Sequence, residues 1–256
     1  VPSGENIDQL LHFFLHNSDE IACLIYEPLL QAAGGMRMYE AEWLDVLLET
    51  AKSVGIICIA DEVLTGFGRT GKLFAGEHLK TKADIICLSK GLTGGAMAMG
   101  LTACSEKIFD AFLSDDRTKT FFHGHSFTAN PIACSAALAS LDLLEKPDCL
   151  QRISRLALNH ARFINESNWN QYEWVEDVRQ LGTVLAFEIK DIDPGYMSQL
   201  SRIVTMDAMR NGIYLRPLGN TVYIMPPYCI EDDQLERVYK YLSSLFVDIP
   251  AKENTH

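Results

Sequence analysis

Short apolar runs, separated by amphipathic or glycine-rich stretches, dominate the first half of the chain. Four continuous runs are typical of strands buried on both faces of a helix-covered sheet: "IACLIYEP" (21–28), "IICIADEV" (56–63), "DIICLSKG" (84–91) and "GLTACSE" (100–106). Between the first two runs, "EAEWLDVLLETAKSVG" (40–55) repeats apolar residues at helical spacing and ends at a glycine. This alternation predicts an α/β fold with a mainly parallel sheet.

The pattern changes near residue 147, after a helix of small residues that we predict over 129–144. The remaining sequence predicts a long helix to about 166, strands near 173–178 and 183–190, a helix over about 196–210, two strands around "IYLRPLGNTVYIMPP" and a closing helix over 231–247. The last residues, "AKENTH", are expected to form a frayed tail. We therefore predict a large α/β domain over 1–147 and a smaller α+β domain over 148–256.

Charge and hydropathy exclude two classes of partner. The 256 residues carry a formal net charge of −12, whereas generic nucleic-acid binding depends on clustered Lys and Arg. No uninterrupted apolar stretch reaches the roughly 20 residues of a membrane span, and no signal peptide is recognisable. We therefore expect small molecules to be the ligands.

The cysteines indicate the cellular compartment. All seven lie far apart, without a C-x-x-C pair, and mostly inside apolar segments: Cys23, Cys58, Cys87, Cys104, Cys134, Cys149 and Cys229. This spacing favours neither a zinc site nor a disulfide framework. We expect each cysteine to be a small buried hydrophobe and the protein to occupy a reducing cytoplasm.

An acid and a lysine follow two of the predicted strands. Asp61 ends one strand and Lys90 follows another, 29 residues later, and ligands of open α/β sheets bind beyond the carboxyl ends of strands. Partial desolvation of Lys90 would favour the neutral amine that forms a Schiff base. A buried Asp61 needs a cationic partner, such as the protonated ring nitrogen of pyridoxal phosphate. Taken singly, such an Asp is more often a helix cap and such a Lys more often solvated.

Several segments carry a resemblance to a known family. In order along the chain, they resemble the class III pyridoxal-phosphate aminotransferases, of fold type I: "YEPLLQAAGGMRMYEAEWL", "IADEVLTGFGRTGKLFAGEH", "ADIICLSKGLTGG", "FFHGHSFTANPIACSAALASL" and "IYLRPLGNTVYIMPPY". The resemblance covers about 21–247 and implies the later half of a cofactor-binding large domain, followed by the carboxyl-terminal small domain.

The resemblance also implies roles for individual residues. Lys90 would be the Schiff-base lysine and Asp61 the partner of the pyridine nitrogen. Gly124 and Ser126, in "HGHSF", would bind the cofactor phosphate of the neighbouring subunit, which implies a homodimer with shared sites. Family members often have Pro where His125 stands and Thr where Ser126 stands. Ser126 keeps the hydroxyl that Thr would supply. His125 in place of Pro is expected to leave a more flexible loop.

A second set of implied roles concerns the substrate. Arg216, in "YLRPLGN", would bind a substrate carboxylate, for which its planar fork is suited. Tyr223 would line the same pocket, and Gly124 and Lys90 would also contact the substrate. The best-matching members use S-adenosylmethionine as amino donor and 8-amino-7-oxononanoate as acceptor, in biotin biosynthesis, so these are the implied substrates.

Other interpretations stay open. A class III relative could instead use ornithine or 4-aminobutyrate as donor, or could be an aminomutase. The family's glycine-serine phosphate turn and ring-stacking aromatic have no counterpart before Ile21, so a non-catalytic fragment is also compatible. Because Val1 is not an initiator residue, we expect the later part of a longer enzyme. His123 and His125 form an H-x-H without a third ligand at motif spacing, so we predict no metal site.

Overall fold

A computed structural model of the chain describes residues 2–190 and 199–253. These residues divide into two compact units. The first unit contains the residues up to Leu30 together with Tyr39–Lys146. The second contains Gln31–Met38 and the residues from Pro147 onward, so that the chain enters it twice.

Seven α-helices and nine strands are formed by the described residues, besides five short 3₁₀ helices. In chain order they are α1 (Ile7–Asn17), β1 (Cys23–Tyr26), β2 (Leu30–Gln31), β3 (Arg37–Met38), α2 (Ala41–Ser53), β4 (Ile57–Asp61), β5 (Ile85–Leu88), β6 (Leu101–Cys104), α3 (Glu106–Asp110), α4 (Pro131–Leu144), α5 (Pro147–Glu166), β7 (Val175–Leu181), β8 (Val184–Ile189), α6 (Gln199–Arg210), β9 (Thr221–Ile224) and α7 (Asp232–Glu253). No helix within the described ranges has the length and apolarity that a bilayer crossing requires.

The main sheet of the first unit has the strand order β1-β4-β5-β6. The first three strands are parallel, and β6 pairs with β5 in the antiparallel sense. Each apolar run of the sequence analysis contains one of these strands, and α2 lies within the predicted helix of 40–55. The predicted α/β fold with a mainly parallel sheet is therefore confirmed.

Burial of this sheet is less complete than predicted. Cys58 and Ala60 of β4 are buried, and α2 contacts both β4 and α1 with its apolar face. In contrast, all four residues of β6 are exposed, as is Ile25 of β1 at 65%. Burial on both faces is thus wrong for the described residues, because β6 makes extensive contacts only with β5.

The same incomplete cover corrects the prediction for the cysteines. Only Cys58 is buried, whereas Cys23, Cys104 and Cys229 are exposed and the remaining three are half-buried. Cys23 lies on β1 and Cys104 on β6, the two outer strands of the sheet. Position on an outer strand therefore outweighs the apolar character of the surrounding segment.

The second unit is built on the antiparallel sheet β7-β8-β9. Its core combines the inner face of β8 with α7, where Phe187 meets Phe246 edge to face and Leu242 and Leu245 are fully buried. Phe163 of α5 stacks on Tyr239 of α7, which brings these two helices together. The helices and the antiparallel sheet give the predicted α+β character.

One predicted strand of the second unit is wrong. Of the two strands expected around "IYLRPLGNTVYIMPP", only β9 forms, and Leu218 makes a single bridge to Thr221. The carbonyls of Leu215 and Pro217 accept hydrogen bonds from the hydroxyls of Thr205 and Ser201 on α6, at 2.8 and 3.0 Å respectively. Side chains of α6 therefore occupy backbone carbonyls that a neighbouring strand would otherwise bind. Pro217 also lacks the N–H that strand pairing requires.

The ends of two predicted helices lie partly outside the described residues. The helix predicted over 196–210 is seen as Gln199–Arg210, since residues 191–198 are not described. The closing helix continues to Glu253, so the first part of the expected tail "AKENTH" is helical. The rest of that tail, residues 254–256, lies outside the described residues.

The short segment Gln31–Met38 belongs to the second unit because Arg179 holds it there. The Arg179 guanidinium donates from Nε to the Met36 carbonyl at 2.8 Å and from Nη2 to the Gly35 carbonyl at 2.5 Å. It also forms ion pairs with Glu188 at 2.9 Å and Asp177 at 2.6 Å, and its side chain is only 9% exposed. Arg179, whose side chain is largely covered, therefore connects this segment to the sheet of the second unit.

Candidate functional site

Asp61 is the last residue of β4 and lies opposite Cys87 of β5. It is half-buried, and its Oδ1 accepts the backbone N–H of Val63 at 3.0 Å. The other oxygen, Oδ2, has no hydrogen bond to a described residue. One carboxylate oxygen of Asp61 is thus held by the following turn, while the other is available to a ligand at the carboxyl end of the strand.

Lys90 follows the neighbouring parallel strand by two residues. It begins a 3₁₀ helix, Lys90–Thr93, and its backbone adopts the left-handed region with a φ of 44°. A lysine in this region costs about 1 kcal/mol or more, so the surrounding structure must impose it. Because β4 and β5 are parallel, Asp61 and Lys90 lie at the same edge of one sheet, as predicted from their positions in the sequence.

The Lys90 side chain is more exposed to solvent than the sequence predicted. The residue is exposed, and among the described residues it has no ion-pair partner. Asp61, too, is half-buried rather than buried. The fully buried acid is its neighbour Glu62, which is 1% exposed.

Glu62 supports the glycine-rich turn that follows β4. Its two carboxylate oxygens accept the backbone N–H groups of Ala75 at 2.6 Å and Gly76 at 2.8 Å. Burial raises the pKa of the Glu62 carboxyl above its usual range, although these two hydrogen bonds oppose the rise. The two acids therefore have different roles. Glu62 stabilises the turn, whereas Asp61 remains at the end of the strand.

Close packing fixes the turn that starts at Lys90. A Cβ on Gly91 would lie 2.9 Å from the Phe67 side chain, so only glycine fits there. The Ser140 hydroxyl of α4 donates to the Gly91 carbonyl at 3.2 Å and would also lie 3.2 Å from a Cβ on Gly94. The small residues of α4 therefore permit close approach to the Lys90 turn.

Gly124 and Ser126 lie in an exposed loop before α4. The backbone N–H of Gly124 and the hydroxyl of Ser126 donate no hydrogen bond to a described residue. Asn130 caps α4 beyond this loop, accepting the Ile132 N–H at 2.9 Å, and Pro131 occupies the first turn. Two donors suited to an anion are thus held just ahead of a capped helix.

His125 is integrated into this loop by hydrogen bonds that proline could not form in full. Its backbone N–H donates to the Thr128 hydroxyl at 3.0 Å, and its carbonyl accepts the Thr128 N–H at 2.9 Å. Its Nδ1 accepts the Phe127 N–H at 3.1 Å. The expected gain in flexibility from losing proline is therefore opposed by two bonds, one from the N–H and one to the ring, that proline lacks.

Arg216 and Tyr223 line one pocket of the second unit, with a volume of about 520 Å³. The described residues that form its walls are Gly212, Ile213, Tyr214, Leu215, Arg216, Tyr223, Ile224, Met225, Pro226, Pro227, Ile230, Gln234, Arg237 and Val238. The structure thus brings the two predicted substrate residues together. It also adds Arg237 of α7, which the sequence analysis did not single out. The available signal was the spacing of Gln234, Arg237 and Val238, which places them on one side of a helix.

No group of three or more His, Cys, Asp and Glu side chains within the described ranges is arranged to hold a metal ion. His123 and His125 are both exposed, in the same loop as Ser126.

Proteins of known sequence resemble this chain over most of its length. The chain is 40% identical over 230 residues to the adenosylmethionine-8-amino-7-oxononanoate aminotransferase of Synechococcus elongatus, covering 90% of this chain and 53% of that protein. The protein of the same name from Helicobacter pylori is 37% identical, with coverages of 86% and 51%. The chain therefore spans about half the length of the curated relatives that it matches.

Solved structures give the same assignment at the level of fold. The adenosylmethionine-8-amino-7-oxononanoate aminotransferase of Methanocaldococcus jannaschii superimposes with a TM-score of 0.87 at 30% identity, covering 94% of this chain and 57% of that one. An amine transaminase from an uncultivated Pseudomonas species, solved with PLP bound, gives 0.85 at 30% identity, with coverages of 94% and 55%. The profile described as "Aminotransferase class-III" matches residues 4–246. The chain belongs to the class III aminotransferase family.

Proposed function

We propose that the full-length protein is a pyridoxal-phosphate-dependent aminotransferase that converts 8-amino-7-oxononanoate to 7,8-diaminononanoate, a step of biotin biosynthesis, with S-adenosylmethionine as amino donor. Relatives bearing the corresponding name, at 33% to 40% identity, support the substrates. The structural observation that carries the proposal is the placement of Asp61 and Lys90 at the carboxyl edge of adjacent parallel strands.

The residues present fit the cofactor. Asp61 has one carboxylate oxygen uncommitted, as a partner for a protonated ring nitrogen requires. Lys90 has no competing ion-pair partner among the described residues, and its amine lies on an exposed turn. The Gly124 N–H and the Ser126 hydroxyl have the donor character that a phosphate group needs.

These residues would divide the chemistry between them. Bound pyridoxal phosphate supplies an electron sink that lets the donor carbon bearing the amino group release its proton. Asp61 would hold the proton on the ring nitrogen, because a carboxylate stabilises that positive charge. Lys90 would hold the cofactor, and its Nζ would then move a proton from the donor carbon to the cofactor in the first half-reaction and from the cofactor to the acceptor carbon in the second.

Arg216 and Tyr223 would position the acceptor. The guanidinium of Arg216 suits a carboxylate through paired N–H donors, and Tyr223 is a half-buried neighbour in the same pocket. Because they contact the unreactive end of the substrate, they would act on its orientation and not on proton transfer.

We infer a homodimer in which Gly124 and Ser126 serve the phosphate of the partner subunit. The loop that carries them is exposed, and its neighbours Phe121, Phe122 and Phe127 are exposed by 64%, 84% and 72%. Large apolar side chains grouped in this way are typical of a surface that is covered in the assembled protein.

The test begins with the full-length protein as purified. Borohydride reduction followed by peptide mapping is expected to place a pyridoxyl group on Lys90, and labelling of a different lysine would overturn the assignment. Incubation with S-adenosylmethionine and 8-amino-7-oxononanoate should then yield 7,8-diaminononanoate by mass spectrometry. Product formation from ornithine or 4-aminobutyrate, but not from S-adenosylmethionine, would contradict the proposed donor while leaving the aminotransferase role intact.

A further inference from the structure

The pocket that contains Arg216 has an unusual distribution of charge. Two guanidinium groups, those of Arg216 and Arg237, line it, and no Asp or Glu occurs among its described lining residues. The chain as a whole carries a net charge of −12. A pocket of cationic character on an acidic protein is suited to an anionic ligand, because the local field and the bulk charge have opposite signs.

Three of the four acidic side chains near the start of α7 form ion pairs with α5. Glu231 pairs with Arg152 at 3.3 Å, Asp232 with Arg155 at 3.4 Å and Glu236 with Arg162 at 2.9 Å, all three arginines lying on α5. Helix α7 therefore directs acids towards α5 and presents Gln234, Arg237 and Val238 to the pocket. Asp233 is in none of these ion pairs, but it does not line the pocket.

Arg237 itself is placed over Gly212. A Cβ on Gly212 would lie 3.3 Å from Nη2 of Arg237, and Gly212 has a φ of +72°. Within the described ranges, Arg237 has no ion-pair partner, although Asp233 is one turn earlier on the same helix. The Arg237 side chain is exposed and lines the cavity, so its N–H donors are accessible to a ligand bound there.

The remaining walls determine what kind of anion would fit. Eight lining residues have apolar side chains: Ile213, Leu215, Ile224, Met225, Pro226, Pro227, Ile230 and Val238. A volume of about 520 Å³ lies within the usual range for small-molecule pockets, about 300 to 1,000 Å³. Cationic groups within apolar walls match a carboxylate that carries an apolar chain better than a compact, fully polar anion.

We propose that Arg237 is a specificity-determining residue that, together with Arg216, makes this pocket a site for the carboxylate end of an apolar-chain substrate. The inference rests on the proposed function, since it assigns a further residue to acceptor recognition. Arg237 would act on binding of the unreactive end, so its loss should raise KM and leave kcat nearly unchanged.

Binding can be measured without turnover on the full-length holoenzyme. Isothermal titration calorimetry with octanoate, and with octanamide as its neutral analogue, separates the charge from the apolar chain. Arg237→Gln is expected to weaken octanoate binding by about tenfold to a hundredfold, because a charge-assisted hydrogen bond is lost. Octanamide binding should change little, and Arg237→Lys should fall between Arg237→Gln and the unaltered protein.

Lys240→Gln provides the matched control. It removes the same charge from the same helix, and Lys240 does not line the pocket. Octanoate should therefore bind the Lys240→Gln variant as it binds the unaltered protein. An equal loss in both variants would show a long-range charge effect and would overturn the proposal, as would unchanged binding in Arg237→Gln or no binding to the unaltered protein.

Kinetics separate this inference from the proposed function. If Arg237→Gln has a raised KM for 8-amino-7-oxononanoate and a kcat within about twofold of that of the unaltered enzyme, both the role of Arg237 and the proposed function are supported. Arginine-dependent octanoate binding in a protein that performs no transamination would contradict the proposed function and support the carboxylate pocket. If Arg237→Gln fails to fold, Arg237→Lys decides, because unaltered octanoate affinity in that variant overturns the role of the guanidinium fork.

Discussion

The buried Glu62 carboxylate accepts the backbone N–H of Gly76 at 2.8 Å, and its second oxygen accepts the N–H of Ala75 at 2.6 Å. The strand end that carries Asp61 is thereby tied to a turn more than ten residues later in the chain. A Cβ on Gly76 would lie 3.2 Å from Oε1 of Glu62, so the contact also restricts that position to a small residue.

Replacing Glu62 should reveal this structural role. Glu62→Ala leaves two backbone N–H groups without acceptors and opens a cavity, so the free energy of unfolding is expected to fall by about 2 to 4 kcal/mol. Glu62→Gln should cost less, because it keeps the size of the side chain and one of its two acceptor oxygens. Urea denaturation of both variants measures the effect. Glu42→Gln, at an exposed residue of α2, is the control, and an equal cost in Glu62→Ala and Glu42→Gln would contradict the role.

The fold around this site follows largely from local sequence. The runs ending at Asp61 and near Lys90 are apolar and short, which is sufficient to predict strands, and the helical spacing of 40–55 predicts α2. The relation between Asp61 and Lys90 was also predictable, since parallel strands present their carboxyl ends at one edge.

The parts that could not be predicted depend on distant contacts. Burial of Glu62 rather than Asp61 results from N–H groups of Ala75 and Gly76, which no local pattern reveals. Likewise, the assignment of residues 31–38 to the second unit depends on Arg179, about 140 residues away in sequence. Arg237 was overlooked because one arginine on an amphipathic helix is ordinarily a solvated side chain.

His160 is expected to make the stability of the second unit depend on pH. It is fully buried, and its Nε2–H donates to the Thr183 carbonyl at 3.2 Å, so Nδ1 accepts the Tyr239 hydroxyl at 2.7 Å. Burial lowers the pKa of His160 to about 4, which means that the folded protein holds the neutral ring. The unfolded chain takes up a proton near pH 6.5, so the free energy of unfolding should fall between pH 6.5 and about 4.

The contribution of His160 over this range should be about 3 kcal/mol. Urea denaturation from pH 7 to pH 4 is expected to show a shallower loss of stability in His160→Gln than in the unaltered protein. His12→Gln, at an exposed residue of α1, should retain the original slope. Identical slopes in the unaltered protein and His160→Gln would show that the ring is not held neutral.

Arg179 should be more important for stability than an exposed arginine. Arg179→Lys keeps the charge but cannot serve Gly35, Met36 and Glu188 together, so the free energy of unfolding should fall by about 1 to 3 kcal/mol. Arg162→Lys, which alters an exposed ion pair with Glu236, should cost less than about 0.5 kcal/mol. Hydrogen exchange should accelerate at residues 34–36 in Arg179→Lys only. Unchanged protection of that segment would contradict the proposed connection.

Asp61→Asn tests the electrostatic role of the strand-end acid. A neutral amide cannot stabilise the protonated ring nitrogen, so transamination should fall by about a hundredfold or more in the full-length enzyme. Cofactor should still be trapped on Lys90 by borohydride, since the amine is unaltered. Asp19→Asn, at an exposed residue before β1, serves as control. Turnover of Asp61→Asn within a fewfold of that control would remove Asp61 from the proposed mechanism.

The shared site makes a prediction about mixed dimers. One variant chain carries Lys90→Ala. The other carries an altered loop at Gly124 and Ser126. If the loop serves the partner subunit, a heterodimer has one doubly damaged site and one intact site. Equal mixing gives about half heterodimers, so activity should return to about a quarter of that of the unaltered enzyme.

Subunit exchange must be demonstrated before this activity is interpreted. Differently tagged chains, denatured together and refolded with cofactor, allow the heterodimer to be isolated by tandem affinity purification. The purified heterodimer should then show about half the activity of the unaltered dimer, because one of its two sites is intact. A loop that serves its own chain would leave a lesion in both sites, so an inactive heterodimer would overturn the shared site. An active monomer would do so as well, since it has no partner to supply the loop.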